Sequence, residues 1–267
     1  IFNFAAETHV DKSIVGPEKF IMTNIVGTYK LIDSINLYYQ NLNQNKKKNF
    51  IFLHVSTDEV YGSLSKNAPP FTEDHKYFPN SPYSASKASS DHIVRSFYMT
   101  YGLPVIITNC SNNYGPHQFP EKLVPLTILN AVKLKKIPIY GDGENIRDWL
   151  YVKDHCEILD KILHQGKPGE YYNIGGDCEV KNIDLVMEIC KILDELLPRK
   201  DKKYYKDLIH FVEDRAGHDF RYSINLTKVK KKFNWKPKES FRSGLLKTIE
   251  WYLNNLDWFK KEKNYEN

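Results

Sequence analysis

The stretch HVSTDEVYG, residues 54–62, ends an apolar run (Phe50-Ile51-Phe52-Leu53) in four protic residues: Ser56, Thr57, Asp58 and Glu59. Adjacent carboxylates repel each other, and such groups at a strand end cost desolvation unless something uses them. A neighbouring charge can keep one carboxyl protonated as an acid while the other stays ionised as a base. A second constellation follows in Tyr83-Ser84-Ala85-Ser86-Lys87. Tyrosine and lysine four apart share one helix face, and a nearby ammonium favours the phenolate, which turns a poor base into a useful one. Each group alone has a plainer reading: a helix cap or turn finished by Tyr61-Gly62, or a surface Tyr–Lys pair. Together, one crossover apart, they read as one site.

The elements that must position these groups alternate. Residues 1–6 read as a strand, and Pro17 suits a helix start. Ile21, Ile25, Thr28, Ile32 and Ile35 recur at helical spacing and predict a helix ending near Tyr39. Residues 50–56 form the next strand, Ser81-Pro82 precede a helix from about Tyr83 to Tyr101 closed by Gly102, and 104–108 is a third strand. Apolar runs without polar alternation, joined by helices, argue for a parallel sheet covered on both faces. After residue 115 the pattern changes, with helices near 121–135, 152–164, 182–197 and 241–255 and short strands at 137–140, 148–152, 171–174 and 209–213. The expectation is α/β: residues 1–115 form a sheet domain, and 116–267 mainly form a smaller lobe with some segments returning to the first. The charged tail after Trp258 is expected to fray.

Composition narrows the function classes. In 267 residues, 41% are hydrophobic and 13% aromatic, so a packed core is expected and disorder is not. The net charge of +5 is spread over runs such as Lys46-Lys47-Lys48 and Lys230-Lys231-Lys232, which read as solvated faces and not as a nucleic-acid surface. No apolar stretch approaches membrane-spanning length. Cys110, Cys156, Cys178 and Cys190 show no CxxC spacing, so no metal site is expected and a reducing, cytoplasmic compartment is.

STDEVYG followed by SPYSASKASSDH resembles the extended short-chain dehydrogenase/reductase family and, within it, the dTDP-glucose 4,6-dehydratases. The segments AAETHVDKSI, TNIVGTYKLID, TNCSNNYGPHQFPEKLVPL, IPIYGDGENIRDWLYVKDH, YYNIGGDCEVKN and DRAGHDFRY extend the similarity from residue 1 to about residue 253. The resemblance implies a Rossmann-type doubly wound sheet, NAD as cofactor, and loss of water from C5 and C6 of a nucleotide-linked glucose. Tyr83 would take the C4 hydroxyl proton with Thr57 supporting it, Glu59 would remove the C5 proton, and Asp58 would protonate the departing C6 hydroxyl. Ala5, Ala6, Thr23, Asn24, Ser56, Tyr83, Lys87 and Asn113 would line the NAD side, with Lys87 donating to a ribose hydroxyl. His9, Thr57, Asn112, Glu121, Lys122, Leu123, Tyr140, Arg147, Asn182, Arg215 and His218 would hold the sugar nucleotide, dTDP-glucose. Arg147 and Arg215 suit bidentate contact with a diphosphate, and Tyr140 suits stacking on a pyrimidine. Plainer readings stand beside these: a local Arg147–Asp148 ion pair, a turn at His218-Asp219, and turn residues at Asn112-Asn113. The resemblance also implies a homodimer through the helices near 18–39 and 83–101.

Two alternatives remain open at this stage. Sister decarboxylases resemble SEVYG, with serine where Asp58 stands, and sister epimerases lack the acidic pair. A non-catalytic nucleotide-sugar-binding relative would keep the fold without the chemistry. One departure is clear: the glycine-rich phosphate loop that follows the first strand of a doubly wound fold is not found in residues 1–50. The resemblance therefore places three strands and two helices, ~80 residues, ahead of Ile1. GDGEN at 141–145 reads as a turn, and Asn225 stands where the family has an acidic residue.

Overall fold

The computed structural model describes residues 1–257, so the tail after Trp258 lies outside the described residues. In chain order the elements are β1 (Phe2–Asn3), α1 (Val10–Val15), α2 (Glu18–Phe20), a π-helical stretch (Ile21–Gly27), α3 (Thr28–Gln40), α4 (Gln44–Lys47), β2 (Phe52–Thr57), a 3-10 turn (Asp58–Tyr61), α5 (Pro82–Tyr101) and β3 (Val105–Cys110). There follow β4 (Asn112–Tyr114), α6 (Leu123–Val132), β5 (Ile137–Tyr140), β6 (Ile146–Tyr151), α7 (Val152–Gln165), β7 (Tyr171–Ile174), β8 (Glu179–Lys181), α8 (Asn182–Leu196), a second 3-10 turn (Tyr205–Leu208), β9 (Ile209–Val212), α9 (Thr227–Phe233) and α10 (Phe241–Asn254). The chain divides into two compact units of three segments each: residues 1–111, 155–175 and 216–236, and residues 112–154, 176–215 and from 237 on.

The first unit is built on a four-stranded parallel sheet in the order β1-β2-β3-β7. Its strands are buried runs: Phe52 and Leu53 of β2 and Ile106 of β3 are fully enclosed. Ile32 and Ile35 of α3 and Val94 and Phe97 of α5 pack with Phe52, Leu103, Val105 and Ile107, each such side chain contributing about 1.5–3 kcal/mol by leaving water. Helix α5 starts where its sequence says. Ser81 accepts from the Ser84 amide, the Ser84 hydroxyl reaches back to the Ser81 amide, and Pro82 opens the helix. Gly102 closes it at φ 66°, a left-handed conformation that suits glycine.

Two local expectations change. The strand expected over 1–6 is reduced to Phe2–Asn3, paired only with β2. Beyond it the Asn24 side chain, not a ladder, serves the backbone N–H and C=O of Glu7 at 2.8 and 3.0 Å. The helix expected to end near Tyr39 runs on to Gln40 but widens to a π-helical stretch around buried Asn24.

The second unit holds a three-stranded sheet, β4-β6-β8, with β4 parallel and β8 antiparallel to β6, and a parallel pair, β5 and β9. Ile128 of α6, Ile189 and Leu193 of α8 and Leu245 and Ile249 of α10 form its core with Ile137 and Trp149. Strands β4 and β8 were not expected. The turn reading of Asn112-Asn113 gives way to a strand, because both residues pair with Trp149 and Leu150 of β6. In GDGEN the turn is real: Gly143 has φ 74°, and a Cβ there would lie 2.9 Å from Ile139 and Ile183. Among the described residues no helix is long and apolar enough to cross a membrane, and no group of three or more His, Cys, Asp or Glu side chains could hold a metal ion.

Candidate active site

The carboxyl end of β2 carries the first group of candidates. Thr57 is the last strand residue, and its extended backbone (φ −136°, ψ 152°) turns into the 3-10 turn that holds Asp58 and Glu59. The Thr57 hydroxyl accepts from the Glu59 amide at 3.3 Å and donates to the Asp58 carboxylate at 3.4 Å. Asp58 is buried and Glu59 half-buried, so the two adjacent acids face different surroundings. Beside them on the sheet, Cys110 of β3 pairs with Thr57 and donates its thiol to the Ser56 carbonyl at 3.3 Å.

Helix α5 brings Tyr83 to this place. Its backbone amide is held by the Ser13 hydroxyl at 3.2 Å, and its carbonyl accepts from Ser86 at 2.7 Å. Burial drives the Tyr83 phenol well above its ordinary range, the charges of Glu59, Cys110 and Asp58 push the same way, and a hydrogen bond from Thr57 opposes them. The expectation of a lowered Tyr83 pKa is therefore corrected: desolvation dominates and disfavours the phenolate. The same influences establish that Thr57, Asp58, Glu59 and Tyr83 share one electrostatic neighbourhood.

Lys87 is 4% exposed and donates to the Val55 carbonyl at 2.9 Å. An ammonium has three N–H donors, and this one bond leaves two of them without an acceptor. Such donors suit vicinal hydroxyls of a ribose, which is the fit with NAD that these residues offer. Ala5 and Ala6, just beyond β1, and half-buried Thr23 lie in the same unit. The Asn24 amide bonds Glu7 and, at 2.8 Å, the Ser86 hydroxyl, so it shapes the Ala5–Glu7 loop. Ser56 likewise donates to Asp91, at 2.7 Å. His9 caps α1 by accepting from the Lys12 amide, and His218 follows Gly217, whose φ is 65°.

The remaining candidates belong to the second unit. Asn112 and Asn113 lie on β4, where the Asn113 carbonyl accepts from Gln118 at 2.8 Å. Glu121 and Lys122 precede α6 and Leu123 opens it. Tyr140 ends β5, 40% exposed and paired with Val212. Arg147 is buried on β6 and donates to its neighbour's carbonyl at 2.7 Å, while Asp148 accepts the amides of Gly176 and Cys178 at 2.9 and 2.8 Å. Asn182 opens α8, its amide bonded to the Asn145 carbonyl, and Arg215 follows β9 with its amide on Asp214.

A family model described as GDP-mannose 4,6 dehydratase matches residues 1–248. A dTDP-glucose 4,6-dehydratase of Shigella flexneri is 55% identical over 272 residues, covering 99% of this chain and 75% of the relative. The chain belongs to the dTDP-glucose 4,6-dehydratase family. The solved dTDP-glucose 4,6-dehydratase of Bacillus anthracis, in complex with NAD, superposes with a TM-score of 0.82 at 47% identity, covering 98% of this chain and 74% of that one. The enzyme of Streptomyces venezuelae, also with NAD bound, gives 0.86 at 41% identity, with 98% and 75% covered. The family's sheet is a Rossmann-type parallel sheet, as the β1-β2-β3-β7 order displays.

Proposed function

We propose that this chain catalyses the NAD-dependent dehydration of dTDP-glucose to dTDP-4-keto-6-deoxyglucose. One observation carries the reading: a hydroxyl and two adjacent carboxyl side chains leave the end of β2 within electrostatic reach of a buried tyrosine on α5. An epimerase that only oxidises and re-reduces C4 has no work for the acidic pair.

Bound NAD, its ribose held by Lys87, would supply the hydride acceptor for C4 and the hydride donor for C6. The protein's residues handle the protons. Tyr83, as phenolate, takes the C4 hydroxyl proton, with Thr57 hydrogen-bonding at the same oxygen. The C4 ketone acidifies C5–H, which Glu59 removes. Asp58 donates a proton to the C6 hydroxyl, water leaves, and a C5–C6 double bond forms. As C6 is reduced, Glu59 returns its proton to C5. The proton gained by Tyr83 balances the one given by Asp58, so the net change is the loss of one water. Lys87 orients the ribose and favours the phenolate that burial opposes.

Cofactor residues of the first unit and the second unit's Asn112, Asn113, Glu121, Lys122, Leu123, Tyr140, Arg147, Asn182 and Arg215 complete the proposal, with the second unit recognising the sugar nucleotide. His9 and His218 are assigned to the substrate from the first unit. The free cysteines fit a cytoplasmic enzyme. Exposed Tyr29 and Leu37 on α3 and Met99 on α5 fit a homodimer formed through these helices.

Mass spectrometry of dTDP-glucose incubated with NAD and the protein tests the reading. A product lighter by one water is expected, and no water loss from folded, NAD-bound protein overturns it.

A further inference from the structure

A polar network is buried beneath the site, on residues that take no part in the chemistry above. The Asp91 side chain, on α5, is inaccessible to solvent. One carboxylate oxygen accepts from Ser56 at 2.7 Å and from Tyr77 at 3.0 Å, and the other lies 3.2 Å from His54 Nε2. We propose that Asp91 is a positioning residue for Lys87: its carboxylate, held to β2 by Ser56 and flanked by His54, is the buried counter-charge that keeps Lys87 an ammonium.

The hydrogen bonds fix the tautomer of His54. Asn3 Oδ1 accepts the Ala5 amide at 3.2 Å, so its Nδ2 is the atom facing His54 Nδ1 at 3.0 Å. An amide nitrogen only donates, so His54 Nδ1 accepts and Nε2 carries the proton. Nε2–H is then shared with the Ser90 hydroxyl at 3.3 Å, whose own proton goes to the Lys87 carbonyl at 2.7 Å, and Asp91 lies beside the ring at 3.2 Å. His54 is thus neutral, and burial also lowers its pKa. Asp91 takes both of its hydrogen bonds, from the Ser56 and Tyr77 hydroxyls, on one oxygen.

Lys87 lies one helical turn before Asp91, and its Nζ bonds the carbonyl of Val55, the residue between His54 and Ser56. Both charges therefore meet the same three residues of β2. Arg95, one turn to the other side of Asp91, is exposed. A lone buried ammonium sheds its proton. Here burial lowers the Lys87 pKa, and Asp91 is the largest opposing influence, followed by Cys110 of β3. The other titratable groups around the pair are His54, Tyr61, Tyr77 and Tyr171, with Asp58 and Glu59 on the 3-10 turn that also packs on α5. The buried residues of α1 and α3, which also pack on α5, are Ser13 and Thr28, Ile32, Ile35 and Asn36, none of them titratable.

The inference rests on the dehydratase reading for its purpose but not for its test. NMR titration of ¹³C-labelled lysine, with the Lys87 signal assigned through Lys87→Arg, reads the ammonium directly in the full chain. Native Lys87 is expected to remain protonated through neutral pH, and in Asp91→Asn to titrate lower by about one unit or more. NAD affinity in that variant should weaken on the alkaline side at correspondingly lower pH. A loss of packing alone would weaken it at every pH. Equal titration in both proteins overturns the proposal. So does a native Lys87 that is neutral at neutral pH, a result that needs no variant to fold. Failure to dehydrate dTDP-glucose would leave both titrations unaffected.

Discussion

Replacing Glu59 by Gln removes the base at C5. In D2O the native enzyme should place one deuterium at C5 of the product, and Glu59→Gln should slow dehydration ~10²–10⁴-fold and leave recovered substrate without the label. Asp58→Asn leaves that base in place and removes the acid at C6. Its dehydration should slow by about the same factor, yet recovered dTDP-glucose should carry deuterium at C5. Mass spectrometry of both pools separates the two roles, and the same labelling in both variants would contradict the division of labour. These residues were legible in the sequence because their chemistry is local: three consecutive side chains, and a tyrosine and lysine one turn apart. What the spacing did not disclose was environment. Tyr83 is dominated by burial, not by Lys87, and burial depends on residues as distant as Phe20, whose ring packs edge-on against it at 6.4 Å. The bond from Asn3 to His54 spans 51 residues and has no signature in either segment.

Among the elements, α5 carries both Tyr83 and Lys87, so its first turn matters twice. Ser81→Ala removes the cap and should cost about 1 kcal/mol of stability by urea unfolding. It should also lower kcat more than it raises KM, because Tyr83 sits on the turn that loosens. Helix α7 makes a different prediction. His155 is buried, and burial pushes its pKa down to about 4. Above about pH 6.5 the residue is neutral whether folded or not and contributes no pH dependence. As pH falls toward 4 the unfolded chain binds a proton that the folded protein refuses, so stability drops by roughly 2–3 kcal/mol. Urea unfolding at pH 7 and pH 4.5 should show this loss in the native protein and less of it in His155→Gln. Element types were readable from apolar spacing and from caps such as Ser81-Pro82 and Gly102. The π-helical stretch was not, since its apolar residues keep the ordinary helical pattern and only the buried Asn24 departs from it. Strands β4 and β8, three residues each, are too short to show a period and exist because β6 lies between them.

At the scale of the molecule, α3 and α5 pack on each other in the first unit and still expose large apolar side chains, with Leu37 61% and Met99 63% accessible. Light scattering should give a dimer mass for the native protein and a monomer mass for Leu37→Glu combined with Met99→Glu. An unchanged mass would place the interface elsewhere. A second unit was expected from the change of pattern near residue 115. The return of 155–175 and 216–236 to the first unit was legible only as an expectation of crossing, because the lengths of β7 and α9 do not say which sheet they join.

That interleaving sets a timetable. The free edge of β3 waits for β7, made about 60 residues later, which is roughly 3–12 seconds of synthesis at ~5–20 residues per second. During that interval a ribosome delivers only the first of the other unit's three segments, 112–154, while its strands β8 and β9 and helices α8 and α10 come later still. Neither half can finish before the other has begun. The nascent chain carries an open strand edge through the interval, a surface that invites pairing with other chains. For this protein the hazardous moment is during manufacture, and the slower its synthesis, the longer β3 goes unshielded before β7 arrives.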